Sequence, residues 1–116
     1  MDISYIELPA LDFDEMIEFY RQAFDWTFED CGFQYVGFSN SGIQGGFSKI
    51  YEAPPRGGPI IMLESKDIAA TEEAMRKLGT EIVGHFEFPG GTRFHFIDPT
   101  GNELAAWTKA PKDPKS

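Results

Sequence analysis

Hydrophobic positions along the chain change their spacing in an order that occurs twice. Residues 3 to 9, ISYIELP, set β-branched and aromatic side chains in rough alternation and end at a proline, which predicts a strand. Asp12, with Glu15 three residues on, is a helix-start signal, and Phe13, Met16, Ile17, Tyr20 and Phe24 follow at helical spacing. The stripe predicts an amphipathic helix over 13–24. Three strand patterns come next, WTFED (26–30), FQYVGFS (33–39) and IQGGFSKI (43–50), broken by Gly32 and by Asn40-Ser41-Gly42. After the connector APPRGGP the order begins again. PIIMLES (59–65) reads as a strand, and Asp67 opens a helix with Ile68, Thr71, Met75 and Leu78 on one face that stops at Gly79. Strands are predicted over 80–88, 92–98 and 102–108.

The expected architecture is therefore α+β: two tandem βαβββ modules, 3–50 and 59–108, forming one domain over 3–108. One helix covers one face of each module's sheet, so the other face needs a partner; two modules side by side solve this with a curved mixed sheet that makes a cup. Such a cup is a natural place for a ligand. The tail from 109 to 116, KAPKDPKS, holds two prolines and no large apolar group and is expected to be disordered.

Composition narrows the partners. The 116 residues carry 10 Lys and Arg against 19 Asp and Glu, a net charge of -9 that repels phosphate backbones and anionic membranes. No apolar run approaches the roughly 20 residues of a membrane span, and the start MDISYIELP lacks a signal-peptide layout, so a cytoplasmic protein without nucleic-acid or membrane partners is expected. The single Cys31 makes no internal disulfide and sits beside Glu29 and Asp30, which disfavour a thiolate. The pair Gly45-Gly46 lacks the lysine and following helix of a phosphate loop and reads as a close backbone approach.

The duplicated βαβββ order, the segment IELPALDFDEMIEFYRQAFDW (6–26) with its Phe19-Tyr20 pair, and FHFIDPTGNELAAW (94–107) with its D-P-x-G-N turn resemble the vicinal oxygen chelate superfamily, which contains glyoxalase I, extradiol dioxygenases, fosfomycin-resistance enzymes and bleomycin-resistance proteins. The chain is most similar to the short lactoylglutathione-lyase-related branch. The resemblance implies the glyoxalase-type fold, homodimerisation, and a divalent metal held in the cup by His, Glu or Gln. It places the first ligand about seven residues before the helix-cap aspartate, at Tyr5, another at Ile60 or Ile61, and the carboxylate ligand four residues after the D-P-x-G turn, at Ala105; Gln44 is the donor on the remaining strand. Tyr, with a pKa of about 10, is a poor ligand for such ions, and Ile and Ala offer no lone pair. The expected metal set is thus missing, and no cofactor is expected. A divalent Zn, Ni, Mn or Fe ion in a rearranged set such as Glu7, Glu64 and His95 is the alternative, and would make the chain a lyase, isomerase or dioxygenase.

Strand alternation puts Tyr5 with Glu7, Met62 with Glu64, and Glu103 with Ala105 and Trp107 on shared faces. Glu7, Glu64 and Glu103 are accordingly candidate carboxylates for proton transfer, and His95, between Phe94 and Phe96, is a candidate base ahead of His85. Tyr5, Phe47 and Trp107 are the candidate aromatic lining for a small-molecule ligand, and the acidic charge favours a cation.

Overall fold

The computed structural model describes residues 1–30, 32 and 34–110, leaving Cys31, Phe33 and the tail from 111 outside the described residues. Both modules form in the predicted order. The first comprises β1 (Ile6–Ala10), α1 (Phe13–Phe24), β2 (Thr27–Asp30), β3 (Tyr35–Ser39) and β4 (Gly45–Lys49). The second comprises β5 (Ile61–Glu64), α2 (Ile68–Lys77), β6 (Glu81–Phe88), β7 (Gly91–Ile97) and β8 (Glu103–Lys109). Each makes a four-stranded mixed sheet, ordered β1-β4-β3-β2 and β5-β8-β7-β6, with the first and last strands of the module parallel and the other pairs antiparallel. Lys109, expected at the start of the tail, instead closes β8, because its backbone continues the β7 register opposite Gly91.

Local chemistry accounts for the helices. Asp12 and Asp67 are extended N-cap residues whose carboxylates accept from the backbone N–H of Glu15 and Ala70, each at 3.0 Å. The second helix ends in a Schellman arrangement: the N–H groups of Gly79 and Thr80 donate to Arg76 and Met75, both at 3.0 Å, with Gly79 at φ +77°.

The chain clusters into two compact units, and the boundary does not follow the sequence halves. The first contains Met1–Arg56 together with Asp98–Asn102; the second contains Gly57–Ile97 and Glu103 onward. The core of the first is aromatic. Trp26 is stacked between Tyr20 and Phe38, 4.5 Å from each ring centroid, and Phe47 lies against Tyr20, Phe28 and Phe38. Phe47 is 0% exposed. Its expected place in a ligand cup is corrected on this ground: it pairs in register with Leu8 and Val36, both also buried, so all three belong to the face under α1. Gly45 and Gly46 are the predicted close approaches. A Cβ on Gly45 would lie 2.1 Å from the Ile6 carbonyl oxygen, and one on Gly46 would enter the Tyr35 ring. The core of the second unit is aliphatic and aromatic: Phe94 and Phe96 on β7 with Leu104 and Ala106 on β8, and Met75 from α2, are all buried.

Candidate functional site

The motif D-P-x-G-N is a structural hub of the first unit. Asp98 Oδ1 accepts from the backbone N–H of Thr100, Gly101 and Asn102 at 3.0–3.1 Å, while Oδ2 accepts from Asn102 Nδ2 at 3.0 Å and from the Tyr20 hydroxyl at 2.8 Å. Thr100 Oγ1 accepts from Leu11 N at 3.0 Å, and Asn102 Nδ2 also donates to the Pro9 carbonyl at 3.0 Å. The Phe19-Tyr20 pair and the turn, through Tyr20 and Asp98 78 residues apart, thus meet in one buried hydrogen bond. Burial raises the Asp98 carboxyl above its ordinary value, although hydrogen bonds from Asn102, Tyr20 and Thr100 pull it down. Burial first, then the Asp98 charge, pushes the Tyr20 phenol well above its usual range, so it stays a proton donor. No substrate can reach this pair through the packed side chains around Tyr20, and its work is architectural.

On the helix-free face of β1, Tyr5 and Glu7 are exposed. The Tyr5 hydroxyl is hydrogen-bonded to the Tyr35 hydroxyl, and the Tyr35 ring lies across Gly46. A cleft of about 550 Å³ in the same unit lies at the start of α1, with Asp12, Asp14 and Asp30 around Phe13, Ile17, Phe28 and Val36.

The helix-free face of the second unit differs. By register and alternation it carries Met62 and Glu64 on β5, Phe86 on β6, Arg93 and His95 on β7, and Glu103, Ala105 and Trp107 on β8. Here two of the sequence candidates come together: His95 Nδ1 lies 2.9 Å from Glu103 Oε2. A carboxylate accepts only, so Nδ1 carries a proton toward Glu103 and Nε2 is the ring nitrogen left over. The His95 side chain is 12% exposed, and its Nε2 is buried without a partner. Two residues earlier on the same face, Arg93 Nε is also buried without a partner. The Arg93 guanidinium reaches the Met62 sulfur from Nη1 and lies 5.9 and 5.7 Å from the rings of Phe86 and Phe88. Each such orphaned polar atom costs about 1–3 kcal/mol.

Other candidates fall elsewhere. Glu64 is exposed and lies 3.7 Å from Lys109. Ala105 is fully buried beside His95 in the strand pairing. Trp107 is half-buried, opposite Arg93 and 6.2 Å from the Phe88 ring. His85 faces α2, where Nε2 lies 2.8 Å from Glu72 Oε1. It borders a cleft of about 330 Å³ that also includes Ile68, Thr92 and Arg93. Arg93 and Phe86 are the site residues that sequence reasoning missed. The signal for Arg93 was its two-residue spacing from His95, which assigns both to one strand face.

The family model of the Glyoxalase/Bleomycin resistance protein/Dioxygenase superfamily matches residues 2–106, and the chain belongs to that superfamily. No curated protein matches it. Among solved structures, it is similar to the fosfomycin resistance protein FosX of Listeria monocytogenes, with a TM-score of 0.82, 17% identity, and coverage of 95% of this chain and 94% of that one. It is also similar to a bleomycin resistance determinant encoded on transposon Tn5 (TM-score 0.72, 18% identity, 96% and 100% covered) and to a lactoylglutathione lyase of Agrobacterium tumefaciens (0.71, 19%, 92% and 92%). At these identities the likeness shows the fold alone. No helix among the described residues is long and apolar enough to cross a membrane.

Proposed function

We propose that this chain is a small-molecule-binding member of the superfamily that holds its ligand without the divalent ion expected from the family resemblance, on the helix-free face of the second module. The observation that carries the reading is the pair of buried, unpartnered nitrogens, Arg93 Nε and His95 Nε2, side by side on that face next to Trp107. Buried polar atoms are almost always satisfied, so two orphans together mark a place where a partner is supplied from outside. Trp107 adds a flat apolar surface for stacking.

The residues present do not fit a divalent ion. A variant of the Listeria FosX was solved with Mn(II), yet here Ala105 offers no donor atom and the Tyr5 phenol is engaged with Tyr35. Among the described residues no three His, Cys, Asp or Glu side chains gather as a metal group. Binding therefore rests on side chains alone.

The test is metal analysis of the purified protein, followed by ligand screening by NMR after EDTA treatment. Retained amide shifts on β7 and β8 support the reading. A stoichiometric metal that disappears on Glu7→Ala or His95→Ala substitution would overturn it and favour a metal-dependent lyase, isomerase or dioxygenase. A homodimer is part of the same proposal, and light scattering at micromolar protein should give twice the chain mass.

A further inference from the structure

Resting on that binding reading, we infer that the ligand is an organic anion with a flat apolar body, an aromatic carboxylate in its simplest form. Its carboxylate would bind Arg93 and His95 beneath Phe86. The expectation of a cationic ligand came from net charge, which averages over the whole surface. The local inventory points the other way. Arginine offers donors only and stays charged, and the contacts of Arg93 are a thioether sulfur and two aromatic rings. Its Nε–H has no acceptor. A carboxylate supplies one, in the planar geometry a guanidinium edge accepts.

His95 completes the site. With Nδ1–H directed to Glu103, Nε2 is the ring atom left for the ligand, and in its N–H form it donates to the second carboxylate oxygen. The other charged groups on this face are consistent with that. Glu103 on β8 is turned to His95 Nδ1, Glu64 on β5 is offset by Lys109 on β8, and β6 contributes Gly84 and Phe86 without charge.

Phe86 is the cover. It stands on an edge strand, is 48% exposed, and its ring lies 5.2 Å from the His95 ring as well as 5.9 Å from the Arg93 guanidinium. The same ring lies across Gly84, where a Cβ would come within 2.7 Å of it. An exposed aromatic side chain folded over a neighbouring glycine can swing out at little cost, uncovering both nitrogens, and Trp107 is placed to stack on the body of the ligand.

The experiment is a ¹H–¹⁵N NMR titration of the full chain with benzoate, benzylammonium and benzyl alcohol, which share a ring and differ in charge. Benzoate should shift amides of β6, β7 and β8 together with the His95 Nε2 resonance. Arg93→Gln should weaken benzoate by about tenfold or more, His95→Leu should weaken it by about fivefold or more, and Phe86→Ala should tighten binding, with unchanged spectra elsewhere verifying the fold. If benzylammonium or benzyl alcohol binds this face as tightly as benzoate, or Arg93→Gln leaves benzoate unaffected, the anion assignment fails while the binding reading stands. If none of the three probes, nor any ligand from the wider screen, perturbs the face, the binding reading fails and takes this inference with it.

Discussion

The two modules repeat one topology but spend their polar side chains differently. In the compact unit built on the first, which also takes in the turn 98–102 from the second, the buried carboxyl of Asp98 is saturated by five hydrogen bonds, and Tyr20 is covered by Phe19, Trp26 and Phe47. In the second, the buried nitrogens of Arg93 and His95 have nothing to bond to. A satisfied buried network rigidifies a fold, whereas an unsatisfied one costs stability and persists where a partner completes it. The difference teaches that copies of one topology can place their buried polar groups under opposite constraints, satisfied around Asp98 and unsatisfied at Arg93 and His95, where the proposed binding face lies.

The largest test of that division is Phe47→Ala. Removing a fully buried ring from the aromatic stack should cost about 3–5 kcal/mol in urea unfolding, whereas Trp107→Ala, at a half-buried position on the open face, should cost about 1 kcal/mol or less. Comparable losses at the two sites would break the comparison. Next in size is Tyr20→Phe, which keeps the packing and removes one donor from a buried carboxyl. A loss of about 1.5–3 kcal/mol is expected, the range for hydrogen bonds to charged groups, read from the shift in the denaturation midpoint.

Much of this was legible in the sequence, and the misses share a cause. Asp12, Asp67 and Gly79 announced their helix ends because caps are local chemistry, decided within three or four residues. The His95–Glu103 contact was half legible: alternation assigned Glu103 to the face of Ala105 and Trp107, but the diagonal meeting with His95 depends on the β7–β8 register set by the turn between them. Phe47 was misassigned because alternation says which residues share a face and not which face lies under the helix. That choice is made by packing partners such as Tyr20, 27 residues away. Arg93 escaped notice because an arginine in a strand looks like a solvated surface residue until its Nε is seen to be buried.

A smaller effect is carried by pH. The Asp98 carboxyl is raised above its unfolded value of about 3.8, chiefly by burial. A raised carboxyl contributes stability that is fully present below the unfolded value and is lost as pH rises through the folded one. The stability of the native chain relative to Asp98→Asn should therefore increase as pH is lowered from 7 toward 4, measured by urea unfolding of both proteins at each pH. A relative decrease would mean that the five hydrogen bonds outweigh burial at this carboxyl.

The smallest expected change is the most discriminating. His95→Leu removes one orphaned nitrogen together with the bond to Glu103, whose side chain is 30% exposed. Relief of the orphan offsets the lost bond, so the variant should be within about 1 kcal/mol of the native chain and on the stable side of it. Tyr20→Phe in the first module also deletes one polar group, yet should move stability in the opposite direction by a larger amount. The contrast isolates what each group is for: a hydroxyl that holds the fold together, and an imidazole that the fold carries at a cost. If His95→Leu destabilised the chain by more than about 2 kcal/mol, His95 would join Asp98 among the architectural residues, and the division between the modules would fail at its most exposed point.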